Sequence, residues 1–138
     1  MPGYSGRSLA EKLGLKPPMV LVTIGAPKDY AAIVEPAPAG VRIVSRVPAA
    51  PAAVHVFATD RAVLAKHLKA LRPKLAQDGF VWVSWPKKTS GVATNITEDT
   101  IRAVALPMGY VDIKVCAVTD VWSGLKLVIR KTERRNRP

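Results

Sequence analysis

With 138 residues, 49% of them apolar and 22% charged, the chain has the size and balance of one globular domain with a real core. Its 21 Lys and Arg against 10 Asp and Glu give a formal net charge of +11, which points to an anionic partner, either a small ligand or nucleic acid. The single cysteine, Cys116, excludes an internal disulfide; no apolar run approaches the ~20 residues of a membrane helix; and MPGYSGRSLAEKLGLKPP lacks the apolar centre of a secretory signal, so a cytoplasmic protein is expected.

In chain order, residues 1–18 read as an N-terminal arm. Ser8 and Glu11 have capping-box spacing and Gly14 can close the end, which predicts a short helix over 8–13. The run MVLVTI, Met19 to Ile24, is short, continuous and rich in β-branched residues, as a strand buried on both faces should be. After Gly25-Ala26-Pro27, residues 28–34 predict a short helix with Tyr30, Ile33 and Val34 on one side. A second strand is expected over Val41–Val47. Its half-polar alternation suits an edge or an exposed face, and its direction stays open because the link 48–53 is too short for a helical crossover.

Strand three is VHVFA, Val54 to Ala58. Asp60 is placed to cap a helix over 61–76, whose stripe is Val63, Leu64, Leu68, Leu71 and Leu75. Strand four is FVWVSW, Phe80 to Trp85, followed by a polar loop over 86–95. Asn95 and Glu98 then have capping-box spacing for a helix over 97–106, ended by Pro107 and Gly109. VDIKVCAV, Val111 to Val118, and LKLVIR, Leu125 to Arg130, read as two strands with a short link and hence as an antiparallel pair. Alternating βα units predict a three-layer, open, mostly parallel sheet of Rossmann type ending in that pair. The domain is expected over 1–130, with 131–138 a basic, disordered tail.

Candidate chemistry concentrates in two stretches. The first is Trp85-Pro86-Lys87-Lys88-Thr89-Ser90-Gly91, beyond the carboxyl end of strand four. Two ammonium groups, hydroxyls and a glycine ahead of a helix suit an anion, although no phosphate-loop spacing is present. The second is the turn Trp122-Ser123-Gly124, where a large ring between strands either lids the core or covers a ligand. Both turns lie at the same end of the sheet if the last strand is antiparallel, so Trp85, Lys87, Lys88, Ser90, Gly91, Trp122, Ser123 and Gly124 form the candidate ligand site. Thr94, Asn95, Thr97, Glu98 and Asp99 read as helix capping rather than catalysis, and Tyr4 and Ser5 as a segment able to fold over such a site. His55 and His67 pair with no ligand partner at metal spacing, and Ser84 and Ser90 lack a nucleophile elbow. No catalytic residue, metal or cofactor is assigned.

The order from Val54 to Arg130, together with the Leu71-Arg72-Pro73 turn, resembles the C-terminal half of a class I S-adenosylmethionine methyltransferase. The segments GYSG, LGLKP, WVSWPKK, SGVAT and TED, with VDIKVCAV and VWSGLKLV, also resemble a family of small bacterial proteins known as domain of unknown function 3052. The methyltransferase resemblance implies a glycine-rich cofactor turn after strand one and an acid at the end of strand two. Here the turn is Ile24-Gly25-Ala26-Pro27-Lys28-Asp29, with one glycine and a proline that removes a donor, and strand two ends Ser45-Arg46-Val47. Gly25 and Arg46 are thus the remnants of a degenerate cofactor site, and Arg46 suits phosphate better than a ribose diol. The reading is of a non-enzymatic binding module on a methyltransferase-like fold, taking an anionic small ligand, nucleotide or nucleic acid. The alternatives are an S-adenosylmethionine-dependent methyltransferase with an unconventional cofactor site, and a protein–protein adaptor anchored by its tryptophans.

Overall fold

The computed structural model describes residues 8–35 and 38–134. Its centre is a six-stranded sheet in the order β2-β1-β3-β4-β6-β5, built from β1 (Met19–Ile24), β2 (Val41–Val44), β3 (Ala53–Phe57), β4 (Phe80–Pro86), β5 (Tyr110–Ala117) and β6 (Trp122–Ile129). The first four strands run parallel; β6 is antiparallel to both β4 and β5. The expected α/β sheet with a terminal antiparallel pair is therefore present. β2 is an edge strand, as its half-polar sequence implied, and it runs parallel to β1 from Met19↔Val41 to Val22↔Val44.

β2 is shorter than expected, because the chain leaves the sheet after Val44 and returns over residues 45–52 to begin β3 on the far side of β1. That link carries no helix. Val44 and Val47 pack on the same core cluster, so the extended link covers apolar surface where a crossover helix would otherwise lie.

Helices cover both faces. The first face carries α3 (Arg61–Leu71) and α4 (Glu98–Ala105). Leu64, Leu68 and Leu71 of α3 and Ile101 and Val104 of α4 pack there with Val22, Val54, Val56, Val81, Val83, Trp85 and Leu125. Each such side chain, fully withdrawn from water, contributes about 1.5–3 kcal/mol relative to exposure. The second face carries α1 (Leu9–Leu13) and α2 (Tyr30–Ile33), whose Ala10, Leu13, Tyr30 and Val34 pack with Leu21, Phe57, Phe80 and Trp82. Period-two alternation along each central strand produces this division.

The caps follow local chemistry, with one exception. Ser8 and Glu11 form the expected capping box and Gly14 closes α1. Asp60 accepts from the amides of Ala62 and Val63. At α4 the expected Asn95–Glu98 box is replaced by one between Thr97 and Thr100. Asn95 instead accepts from the Arg61 amide at 2.7 Å and donates to Asp60 Oδ1 at 3.0 Å, so it caps α3 across space. Past the expected boundary at 130, Lys131–Glu133 form a 3-10 turn, with Glu133 3.8 Å from Arg72 and Arg134 donating to the Ile129 carbonyl. Tyr4, Ser5, Arg135 and Arg137 lie outside the described residues.

Candidate functional site

The sheet order reverses between β1 and β3: the chain passes from β1 outward to β2, then returns to β3 on the other side. Ligands of open α/β sheets bind outside the carboxyl ends of the strands at such a reversal. Four segments converge here, namely the turn 25–29 after β1, residues 58–60 after β3, the loop 87–97 after β4 and the β5–β6 turn.

The 87–97 loop closes the first-face side. Thr94 Oγ1 donates to the Thr59 carbonyl at 2.7 Å and the Asn95 amide donates to the same oxygen at 3.2 Å. Glu98 and Asp99 are held by Arg102, which also bonds Asp112 Oδ2 at 2.9 Å. The four groups knit α4 to β5. Within the lysine loop, Ser90 Oγ donates to the Lys87 carbonyl at 2.6 Å and accepts from the Val92 amide, and Gly91, at φ +77°, ends the 3-10 turn. These groups are used in shaping the loop, while the Lys88 side chain is exposed and that of Lys87 half-buried.

Trp122, Ser123 and Gly124, expected in a turn, are instead the first residues of β6, and they meet the loop through the backbone. Pro86 pairs with Trp122, Trp85 with Ser123 and Ser84 with Gly124, and the Lys87 amide donates to the Val121 carbonyl at 2.7 Å. The side chains part company. Trp85 is buried in the first-face core, whereas Trp122 packs with the second-face cluster. Gly124 makes room for Trp82, whose ring atom Cε3 would lie 3.2 Å from an added Cβ.

On the second-face side a cleft of about 300 Å³ opens between α2 and the β5–β6 turn, lined by Pro27, Asp29, Ile33, Thr119, Asp120, Val121 and Trp122. Asp29 precedes α2 without capping it by a side-chain bond. Thr119 Oγ1 accepts from the amides of Val121 and Trp122, which fixes the turn. The Trp122 ring stands edge-on to Phe57 of β3 with centroids 5.0 Å apart. A groove of about 370 Å³ at the opposite, amino end of the sheet is lined by Pro18, Met19, Val20 and residues 48–52, none with a polar side chain. Of the two, the cleft beside α2 is the one lined by polar side chains.

A buried polar chain links α2 to β3 and β4. Tyr30 Oη and His55 Nδ1 are 2.7 Å apart, and His55 Nε2 and Ser84 Oγ are 2.7 Å apart. His55 and Ser84 are fully buried, and burial pushes the His55 pKa down to about 3, so the ring is neutral. The ring also stacks on Phe57 at 4.3 Å. In the sequence Tyr30, His55 and Ser84 stand far apart and read as unconnected residues. The signal that was present is a histidine inside a wholly apolar strand, since a fully buried imidazole needs a partner. Asp29 and Asp120 were missed because nothing local marks them.

The fold's implied cofactor can be tested against these residues. A Cβ at Gly25 would come within 2.7 Å of the Phe57 carbonyl oxygen, so this glycine serves the close approach of the turn to β3. Pro27 offers no amide, and Arg46 is exposed after β2 with no acid in the Ser45–Val47 segment. The glycine-turn and acid hold on S-adenosylmethionine does not fit. Among the described residues no group of three or more His, Cys, Asp or Glu is placed to hold a metal, and no helix is long and apolar enough to cross a membrane.

No family model matches the sequence, and no curated protein matches it. Solved structures do. A SAM-dependent methyltransferase from Aquifex aeolicus superposes with a TM-score of 0.63 at 12% identity, covering 86% of this chain and 86% of that one. Ribosomal protein L11 methylase from Lactobacillus delbrueckii subsp. bulgaricus gives a TM-score of 0.61 at 12% identity, over 88% of this chain and 75% of that one. A putative type 11 methyltransferase from Sulfolobus solfataricus gives 0.56 at 12% identity, over 86% and 88%. The chain has a methyltransferase-like fold.

Proposed function

We propose that this chain is a small-ligand binding protein on a methyltransferase scaffold, with its site in the cleft between α2 and the β5–β6 turn. The observation that carries this reading is the pairing of Asp29 and Asp120 with the Trp122 ring in one cleft beside the sheet's reversal point. Two carboxylates and an aromatic face attract positive charge, and among the described residues no lysine or arginine lines the cleft. The favoured ligand class joins a flat ring to a cationic centre. S-adenosylmethionine, with its adenine, sulfonium and ammonium, is the member that the scaffold makes first to test. Its hold would differ from the glycine-and-acid one that this chain lacks. The anionic ligand expected from the Lys87–Lys88 loop is not favoured at this cleft, because those lysines do not line it.

Calorimetric titration of the full chain with S-adenosylmethionine, its demethylated product and ATP tests the reading. S-adenosylmethionine should bind, the uncharged thioether product more weakly, and ATP not at all. Asp29→Asn with Asp120→Asn should weaken the first by about tenfold or more. Preference for ATP, or affinity unmoved by the double substitution, would remove the cleft from consideration.

The scaffold favours a second reading, methyl transfer from the bound ligand to another molecule. Incubation with methyl-labelled S-adenosylmethionine and a cell extract should then yield a labelled macromolecule or small product that heat-inactivated protein does not give. Binding without label transfer would leave the binding reading and discard the enzymatic one.

A further inference from the structure

We propose that Lys12, Lys16, Lys114 and Lys126, gathered at the end of α1 on the second face, form a site for phosphoryl anions distinct from the cleft. Lys126 of β6 is its centre. Its Nζ lies 4.4 Å from the centroid of the Phe80 ring and 6.0 Å from that of Trp82. It lies against the C-cap of α1: a Cβ on Gly14 would be 3.4 Å from Nζ. Lys114 is the register partner of Lys126 across the β5–β6 ladder, and its Nζ donates to the Lys12 carbonyl at 3.3 Å. Lys16 flanks a cavity of about 160 Å³ that it lines with Glu11, Gly14 and Leu15.

The distribution of acids leaves this cluster uncompensated. Glu11, the one carboxylate in that lining, is turned to Ser8, accepting from its amide and hydroxyl at 3.2 Å each. Glu98, Asp99 and Asp112 belong to Arg102, and Glu133 to Arg72. Among the described residues no lysine makes an ion pair, and Lys126 and Lys16 have no hydrogen-bond partner. Like charges directly opposite in a ladder are destabilising unless something lies between them. Burial, then the charges of Lys114 and Lys16, lower the Lys126 pKa, which reports the same crowding. The Lys12 carbonyl engages Lys114 and the Phe80 ring engages Lys126, but neither neutralises an ammonium charge. An anion with several oxygens answers the ammonium groups of Lys126, Lys114 and Lys16, and a phosphoryl group is the common form of that chemistry. The source is either a nucleic-acid backbone or a free phosphate ester.

The test uses the full chain, inorganic pyrophosphate by calorimetry, and a short labelled single-stranded RNA by anisotropy. At least one probe should bind, and Lys114→Gln with Lys126→Gln should weaken it by about tenfold or more. Removing two opposed like charges should not unfold the ladder, which circular dichroism and Tm will check. Lys87→Gln with Lys88→Gln should change affinity less than about twofold. If RNA is the ligand, the double variant should flatten the log-affinity against log-salt slope by about 1.4, from ~0.7 per single-strand phosphate contact. RNA binding without pyrophosphate binding assigns a nucleic-acid backbone; the reverse assigns a free phosphate ester. Binding of neither probe, no loss in the Lys114/Lys126 variant, or an equal loss in the Lys87/Lys88 variant overturns the proposal. None of these outcomes depends on the cleft.

Discussion

The Tyr30 hydroxyl meets Nδ1 of His55 at 2.7 Å, and this bond ties α2 to the middle of the sheet. A four-residue helix is far too short to hold itself together. Its position, and with it one wall of the cleft, rests on packing and on this buried contact. Tyr30→Phe removes the hydroxyl and leaves a buried imidazole nitrogen unpaired. The expected cost is about 1–3 kcal/mol by urea denaturation. A change well below 0.5 kcal/mol would mean that water or a shifted ring takes over the role.

The same histidine predicts a pH dependence. Its folded-state pKa, about 3, lies below the ~6.5 of an unfolded histidine. Between those values the unfolded chain binds a proton that the native chain refuses, so stability falls as pH falls. The slope approaches about 1.4 kcal/mol per pH unit. Denaturation series from about pH 6.5 to 4.5, above most carboxylate titration, should show it in the wild type and lack it in His55→Gln. A wild-type curve flat through this window would contradict a neutral, sealed His55.

Trp82 anchors α1 in a comparable way, its indole N–H donating to the Leu13 carbonyl at 2.9 Å. Trp82→Phe should cost about 1–3 kcal/mol through that orphaned carbonyl, beyond the lost ring area. Hydrogen exchange should speed up selectively over Leu9–Leu13. Uniform faster exchange throughout the sheet would instead show that α1 and the core open together.

Arg102 gathers Glu98, Asp99 and Asp112 at the α4–β5 contact. Arg102→Ala leaves three carboxylates facing one another. The Tm should drop, and the drop should shrink as NaCl is raised and their repulsion is screened. Arg102→Lys should recover only part of the loss, since an ammonium cannot fork to several carboxylates in fixed geometry. Equal Tm values for wild type and Arg102→Ala at low salt would show the cluster to be energetically idle.

Much of the fold was legible locally. The run FVWVSW announces a buried strand and the Leu64, Leu68, Leu71 and Leu75 stripe a helix on a sheet, because side-chain period is a property of a few adjacent residues; Val20 of MVLVTI and Val63 of the expected stripe are instead exposed. Caps were legible until two patterns overlapped. Asn95 and Thr97 both suit the start of α4, and the choice fell to Thr97 because the Asn95 carboxamide is engaged by α3.

By itself the sequence determined the order of strands and helices, the three-layer α/β class with its antiparallel ending, and the excess of positive charge. Only the tertiary structure decided that β2 runs parallel to β1, that β6 lies between β4 and β5, and that Trp85 and Trp122 face opposite sides of the sheet. It alone placed Asp29 and Asp120 on one cleft, Tyr30 beside His55, and Lys126 opposite Lys114. Periodicity and capping act within one turn or one strand, whereas a site is made of side chains from separate elements, whose meeting depends on strand order and register that no single segment encodes.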